Sequence, residues 1–286
     1  MRHTVTLFNL GVLLTALLGL NLNINGIIDQ SRQNKMLAES KYIEYNSAAP
    51  LGEEDYARKL GTLQITLHPG TDYTPESKSS PSSLKHCESL VYRTLKSLPA
   101  KSTKKLKNLT LYFAEDGRRG LGGSNTIILR CQNVTDQELV SVLVHEMGHV
   151  TDTGAINGTS TSGESSFKDG SNPVYVDDPS LEFYTLDFQA ENTLKETATE
   201  WDFVSGYAMS DAFEDFAESY AYYVLHGDEF RSLAGTNDVL QKKYDYLKNR
   251  VFNGKEYFNG SAKPDASVRH YDVTVLPYDM NKFFVI

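Results

Sequence analysis

Apolar residues fall on helical spacing at Leu84, Cys87, Leu90, Val91, Tyr92 and Leu95, with Ser82 or Ser83 able to cap the start and Pro99 to stop it. A first helix is predicted there. Alternation at Leu109, Leu111 and Phe113 and again at Ile127, Leu129 and Cys131 predicts two strands, and the glycines of GRRGLGG between them read as a turn. Next, Thr135 and Glu138 stand at capping-box spacing, and Leu139, Val142, Leu143 and Val150 carry a helix toward Gly154. From Thr153 to Pro179 the chain is rich in Ser, Thr, Gly and Asp, which predicts a surface loop inserted beside that helix. Further helices are predicted from Ser210 through DAFEDFAESYAYYVL and from Asn237 through Lys248. The tail stretch HYDVTVL looks strand-like.

The N-terminus follows another pattern. No charge occurs from Thr4 to Ile28, and Val5 to Leu20 is apolar apart from Thr6, Asn9 and Thr15, behind Arg2. Residues 1–28 are therefore expected to be a signal peptide or an N-terminal membrane anchor, and the weak small-x-small cleavage pattern leaves both open. Residues 29–80 are polar, with a Ser/Lys/Pro-rich end and one strand-like stretch at Leu63–Leu67, and are expected to be an extension or tether. That leaves 81–286 as the functional domain. Export would place the chain outside the cell or on the outer face of a membrane. There Cys87 and Cys131, its only cysteines, read as a disulfide, with two buried thiols as the alternative.

Composition narrows the partners. With 286 residues, 40% of them hydrophobic, the chain can bury an ordinary core. Twenty-eight Lys and Arg against thirty-seven Asp and Glu give a net charge of -9, the wrong sign for a phosphate-binding surface, so no nucleic acid is expected.

The chemistry centres on His145-Glu146-Met147-Gly148-His149. Residues four apart on a helix share a face, so both imidazoles can reach one Zn2+, while Glu146 addresses a water in the open coordination position. A catalytic zinc site needs a third protein ligand. The longer motif with a third histidine six residues on fails, because Ala155 stands there. Glu214 and Glu218 lie four apart on an otherwise apolar helix, and a metal explains one such carboxylate; Glu196 and Glu200, in a more polar setting, are the competing pair.

HEMGHVTD followed by SGYAMSDAFEDFAESY resembles the gluzincin peptidases related to the catalytic domain of anthrax lethal factor, in which a HExGHxxD helix precedes a Tyr-bearing loop and an E-x-F-A-E helix. The resemblance implies an α+β zincin-like domain, with a small sheet over the active-site helix and a helical C-terminal part. It implies that His145, His149 and Glu214 bind zinc, that Glu146 is the general base, and that Tyr207 faces the reacting carbonyl. Asp152 and Glu218 would orient the ligands, and the strand at 125–130 would be the edge that pairs with a polypeptide substrate. Should Tyr207 only pack its loop, His226 and His270 are the other candidate donors. The expected activity is exported zinc-dependent peptide hydrolysis. The rivals are a secreted binding or adhesion module with a structural or vestigial zinc site, and a zinc amidase acting on a non-peptide amide.

Overall fold

The computed structural model describes residues 41–42, 61, 64–69, 84–113, 117–258 and 270–285. The expected signal or anchor at 1–28 lies outside them, as does most of 29–80. Among the described residues no helix is long and apolar enough to cross a membrane.

Leu109, Leu111 and Phe113 are fully buried because their strand lies inside a sheet. The strands are β1 (Lys41–Tyr42), β2 (Gln64–Pro69), β3 (Asn108–Phe113), β4 (Gly120–Gly123) and β5 (Thr126–Arg130). The order runs β2, β3, β5, β4, with the first two pairings parallel and the last antiparallel. The strand predicted at Leu63–Leu67 thus exists, shifted slightly, and registers Ile65 against Leu109. Helix α1 (Leu84–Ser97) intervenes between β2 and β3, as a parallel pairing requires.

Two expectations about this sheet fail. GRRGLGG is not simply a turn, since Gly120–Gly123 is a strand, and β5 is interior, so β4 and not 125–130 forms the edge. The glycines serve close packing. A Cβ on Gly120 would stand 2.3 Å from Glu146 Oε1, and one on Gly122 would stand 2.5 Å from the Glu146 carbonyl oxygen.

Helix α2 (Asp136–Val150) is capped by Thr135, whose side chain accepts from the Glu138 N–H at 3.2 Å, while the Glu138 carboxylate faces Arg119 at 3.4 Å, so only half of the predicted capping box is seen. It is buried on nearly every face from Leu139 to Gly148, because β4 and β5 cover one side while α1 and α3 (Ala212–Leu225) pack on others. At the crossing of α2 and α3 a Cβ on Gly148 would be 2.8 Å from the Ala217 Cα. A side chain there would push apart the two helices that carry the candidate ligands. Helix α3 begins two residues after the predicted start at Ser210, with Asp211 accepting from the Phe213 and Glu214 N–H groups as its cap.

Helices α4 (Gly227–Ala234) and α5 (Asp238–Tyr246) follow, the latter capped by Asn237. Lys243 on α5 is wholly buried, 2.6 Å from Asp187 and 2.7 Å from Asp215, and donates to the Asp202 carbonyl oxygen at 2.8 Å. Burial and the neighbouring Asp187 push the Asp215 carboxyl up to about 7 although Lys243 opposes them. This charged tie fixes α3 from behind. The expected loop at Thr153–Pro179 contains a hairpin, β6 (Glu164–Asp169) with β7 (Asn172–Tyr175), followed by the smaller pair β8 (Phe188–Ala190) and β9 (Thr193–Leu194). The tail is not a strand at HYDVTVL but turns tightly at Val273–Val275. Among the described residues the fold is α+β, with one mixed sheet, two small hairpins and a largely helical C-terminal part.

Cys87 on α1 and Cys131 just after β5 are joined by a disulfide, which ties the first helix to the strand that leads into α2. Replacing both cysteines by Ser is expected to cost about 4 kcal/mol of unfolding free energy, because the bridge closes a long loop in the unfolded chain. Urea unfolding of the double variant measures this. A loss below about 1 kcal/mol would mean that folding gains little from the bridge.

Candidate metal centre

His145 and His149 project from one face of α2, with ring centroids 5.0 Å apart. Glu214, in the first turn of α3, brings Oε2 to 3.2 Å from His145 Nε2 and 3.3 Å from His149 Nε2. One donor atom from each of the three residues falls within 4.8 Å of the others, the one such cluster among the described residues. Glu214 Oε2 is buried and stands at ion-pair distance from both rings. The three candidate donor atoms lie close enough together to share one ion. Two imidazole nitrogens and a carboxylate oxygen are a donor set suited to a divalent transition metal.

The buried imidazoles and carboxylates shift one another's titration. Burial opposes a charge on His145, yet Glu214 and Glu218 beside it raise its pKa well above the usual imidazole range. Burial also opposes ionisation of Glu214, but the two imidazoles hold its pKa well below the usual carboxylate range.

Glu218 acts behind the ligands, one turn further along α3. Fully buried, it brings Oε1 to 2.9 Å from His145 Nδ1, while Oε2 accepts from the Ser205 hydroxyl at 2.6 Å and the Val273 N–H at 2.9 Å. In the tautomer that carries its proton on Nδ1 toward Glu218, His145 presents the Nε2 lone pair to the cluster.

Glu146 lines the same cleft as the two histidines and turns toward β4, where its carboxylate accepts from the Gly122 backbone N–H. Burial raises its pKa while the two imidazoles partly offset that, a direction that suits a base working near neutrality. Tyr207 donates its hydroxyl to Glu214 Oε1 at 3.0 Å and stacks on His145 with 6.2 Å between centroids. Burial and the charge of Glu214 keep this phenol protonated, so it remains a donor.

Asp152 is placed differently from its expected role. Its carboxylate accepts from the hydroxyls of Ser180 and Tyr184, each at 2.5 Å, and among the described residues it makes no hydrogen bond to a candidate ligand. Burial pushes it up to about 7. It fastens the turn at Thr151–Ala155 after α2 to residues 180–184. Glu196 and Glu200 are exposed and outside the cluster. His226 is buried, with Nδ1 3.2 Å from Glu229, and neither it nor His270 lines the cleft.

The cleft holds about 340 Å³ and opens over His145, Glu146, His149 and Glu214. Its remaining wall includes Arg119, Tyr271 and Asp272, none of them singled out by the sequence pattern. Tyr271 is 72% exposed although it borders the site, its ring 5.9 Å from that of Tyr207. No known family's sequence profile matches the chain, and neither a curated protein nor a solved structure matches it.

Proposed function

We propose that this chain is an exported zinc metallopeptidase of zincin-like architecture, with the gluzincin ligand arrangement that its resemblance to the lethal factor-like family implies. The observation that carries the reading is the convergence of His145 Nε2, His149 Nε2 and Glu214 Oε2 beneath an open cleft, with Glu146 beside them. A protein-closed structural site would fill its fourth position with another side chain, whereas here the fourth side faces the cleft. The disulfide supports a compartment outside the reducing cytosol.

Zinc held there would supply a lowered pKa for water and polarisation of a carbonyl. Glu146 takes the proton of the attacking water and later delivers it to the leaving nitrogen. Its slot between α2 and β4 holds the carboxylate beside the cluster without coordinating it. Glu218 keeps the His145 ring in register, and Tyr207 presents a neutral donor where negative charge develops on the carbonyl oxygen. The outer edge of β4 offers an extended polypeptide a strand to pair with.

The first test is cleavage of a casein-type substrate by purified chain, its loss on chelation and its return with zinc. No cleavage with stoichiometric zinc bound would instead favour the binding module or the non-peptide amidase.

Tyr207→Phe is expected to lower kcat roughly ten- to a thousandfold with KM little changed, because a donor that engages developing charge helps the transition state more than bound substrate. Zinc should remain stoichiometric, since the variant keeps the ring and all three ligands. Full activity would reduce Tyr207 to packing and to its bond with Glu214.

A further inference from the structure

The tail after the tight helical half is bonded into the metal centre from several directions. The His270 carbonyl oxygen accepts from the Gly206 N–H at 2.9 Å and the Tyr271 carbonyl oxygen accepts from the Tyr207 N–H at 2.6 Å, so the tail forms a short ladder with the loop that carries Tyr207. Two residues on, the Val273 N–H donates to Glu218 Oε2 at 2.9 Å, and the other oxygen of Glu218 meets His145 Nδ1 at 2.9 Å. A continuous chain of bonds therefore runs from tail backbone through Glu218 to His145.

The tail is also fastened to the opposite wall of the cleft. Arg119, the residue before β4, bonds Asp272, donates to the Thr274 hydroxyl at 2.8 Å and approaches Glu138 at 3.4 Å. Asp272 accepts in turn from the Thr274 N–H at 2.7 Å and its hydroxyl at 2.6 Å. This side-chain cap starts the turn at Val273–Val275 and leaves the Val273 N–H outside the turn's own bonding.

We propose that residues 270–274 form a working wall of the metal centre, in which Val273 is a positioning residue that sets Glu218, and through it His145, while Arg119 clamps the wall in place. The proposal rests on the metallopeptidase reading. A backbone amide suits this role because it is neutral. It orients one oxygen of Glu218 without discharging it, so the other keeps its full pull on the imidazole and the ring's Nε2 stays a strong ligand. With Ser205 the amide completes the bonding of a carboxylate that has no access to water.

Val273→Pro deletes this donor. Proline is tolerated at the first position of a helical turn, and Asp272 already has the extended backbone that precedes proline comfortably, at φ -142° and ψ 127°. Val273→Ala is the control, since it trims the buried side chain and keeps the N–H. Zinc affinity of the full chain is measured by competition with a chromogenic chelator, with thermal midpoints recorded alongside. Val273→Pro is expected to bind zinc roughly ten- to a hundredfold more weakly than wild type, as losses behind a ligand do, and Val273→Ala within about twofold. Equal zinc affinity in the two variants overturns the proposal. If Val273→Pro does not fold, the comparison passes to Arg119→Met against Arg119→Lys. Weaker zinc in the Met variant, recovered at least partly in Lys, supports the clamp, and equal affinity overturns it. A wild-type chain that binds no zinc defeats the metallopeptidase reading itself, and this shows before any variant is compared.

Discussion

Glu146→Gln is expected to keep its zinc and lose its turnover. The carboxylate occupies a narrow slot in which Gly120 and Gly122 leave no room for a Cβ, and glutamine has the same shape as glutamate, so the variant should seat without displacing β4. What changes is basicity. An amide can hold a hydrogen bond to water but cannot take its proton, so the step that generates the nucleophile and the step that protonates the leaving nitrogen both fail. The fall in kcat should be at least about a hundredfold and extend to ten-thousandfold, with KM changing much less. Steady-state kinetics beside zinc content by atomic absorption check both halves. Loss of zinc as complete as in His149→Ala would make Glu146 a ligand. Retained turnover would place the base elsewhere in the cleft.

The helices were legible because their signals are local. Leu84 to Leu95, Leu139 to Val150 and Phe213 to Leu225 each show helical spacing, and the last two have a capping residue at the observed start, whereas Ser82 and Ser83 lie outside the described residues. The histidine pair was equally plain, since four-residue spacing on one helix forces two side chains to one side. Other features depend on what lies across space. The glycines of β4 look like turn residues in one dimension, and only the pressure of Glu146 and the α2 backbone explains them as strand. HYDVTVL alternates like a strand, but Asp272 captures the Thr274 N–H and tightens the chain instead. Lys243 reads as surface charge on a helix, and nothing near it in sequence announces Asp187 and Asp215. Asp152 follows the motif at the expected distance, yet its carboxylate is taken up by Ser180 and Tyr184, which lie about thirty residues further along the chain. The parts of the site that escaped notice, Arg119, Tyr271 and Val273, come from segments about 150 residues apart, and one of them acts through a backbone atom that has no side-chain signature.

Glu214 is part-buried and Glu218 fully buried on one face of α3, and their different neighbours rank the expected effects of their variants. Glu214→Ala removes the oxygen that stands 3.2 Å and 3.3 Å from the two imidazoles, leaving two protein donors for a metal that needs three. Its zinc should be stripped at moderate chelator concentrations. Glu218→Ala leaves all three donors but frees the His145 ring and orphans the Ser205 hydroxyl and the Val273 N–H, which together should weaken zinc by roughly ten- to a hundredfold, or about 1.4 to 2.7 kcal/mol. Glu218→Gln should fall between wild type and Ala, since one of its two groups can still accept a hydrogen bond while the charge is lost. Because Val273→Pro acts only through Glu218, adding it to Glu218→Ala should cost little further affinity, and a fully additive double variant would show that the tail reaches the metal by another route. A zinc titration of the Ala series decides the ranking of the two glutamates. If Glu218→Ala strips the metal and Glu214→Ala only loosens it, the ligand is the deeper carboxylate. If neither substitution matters, the cluster holds no metal and the convergence on Glu214 Oε2 is an ion-pair network alone.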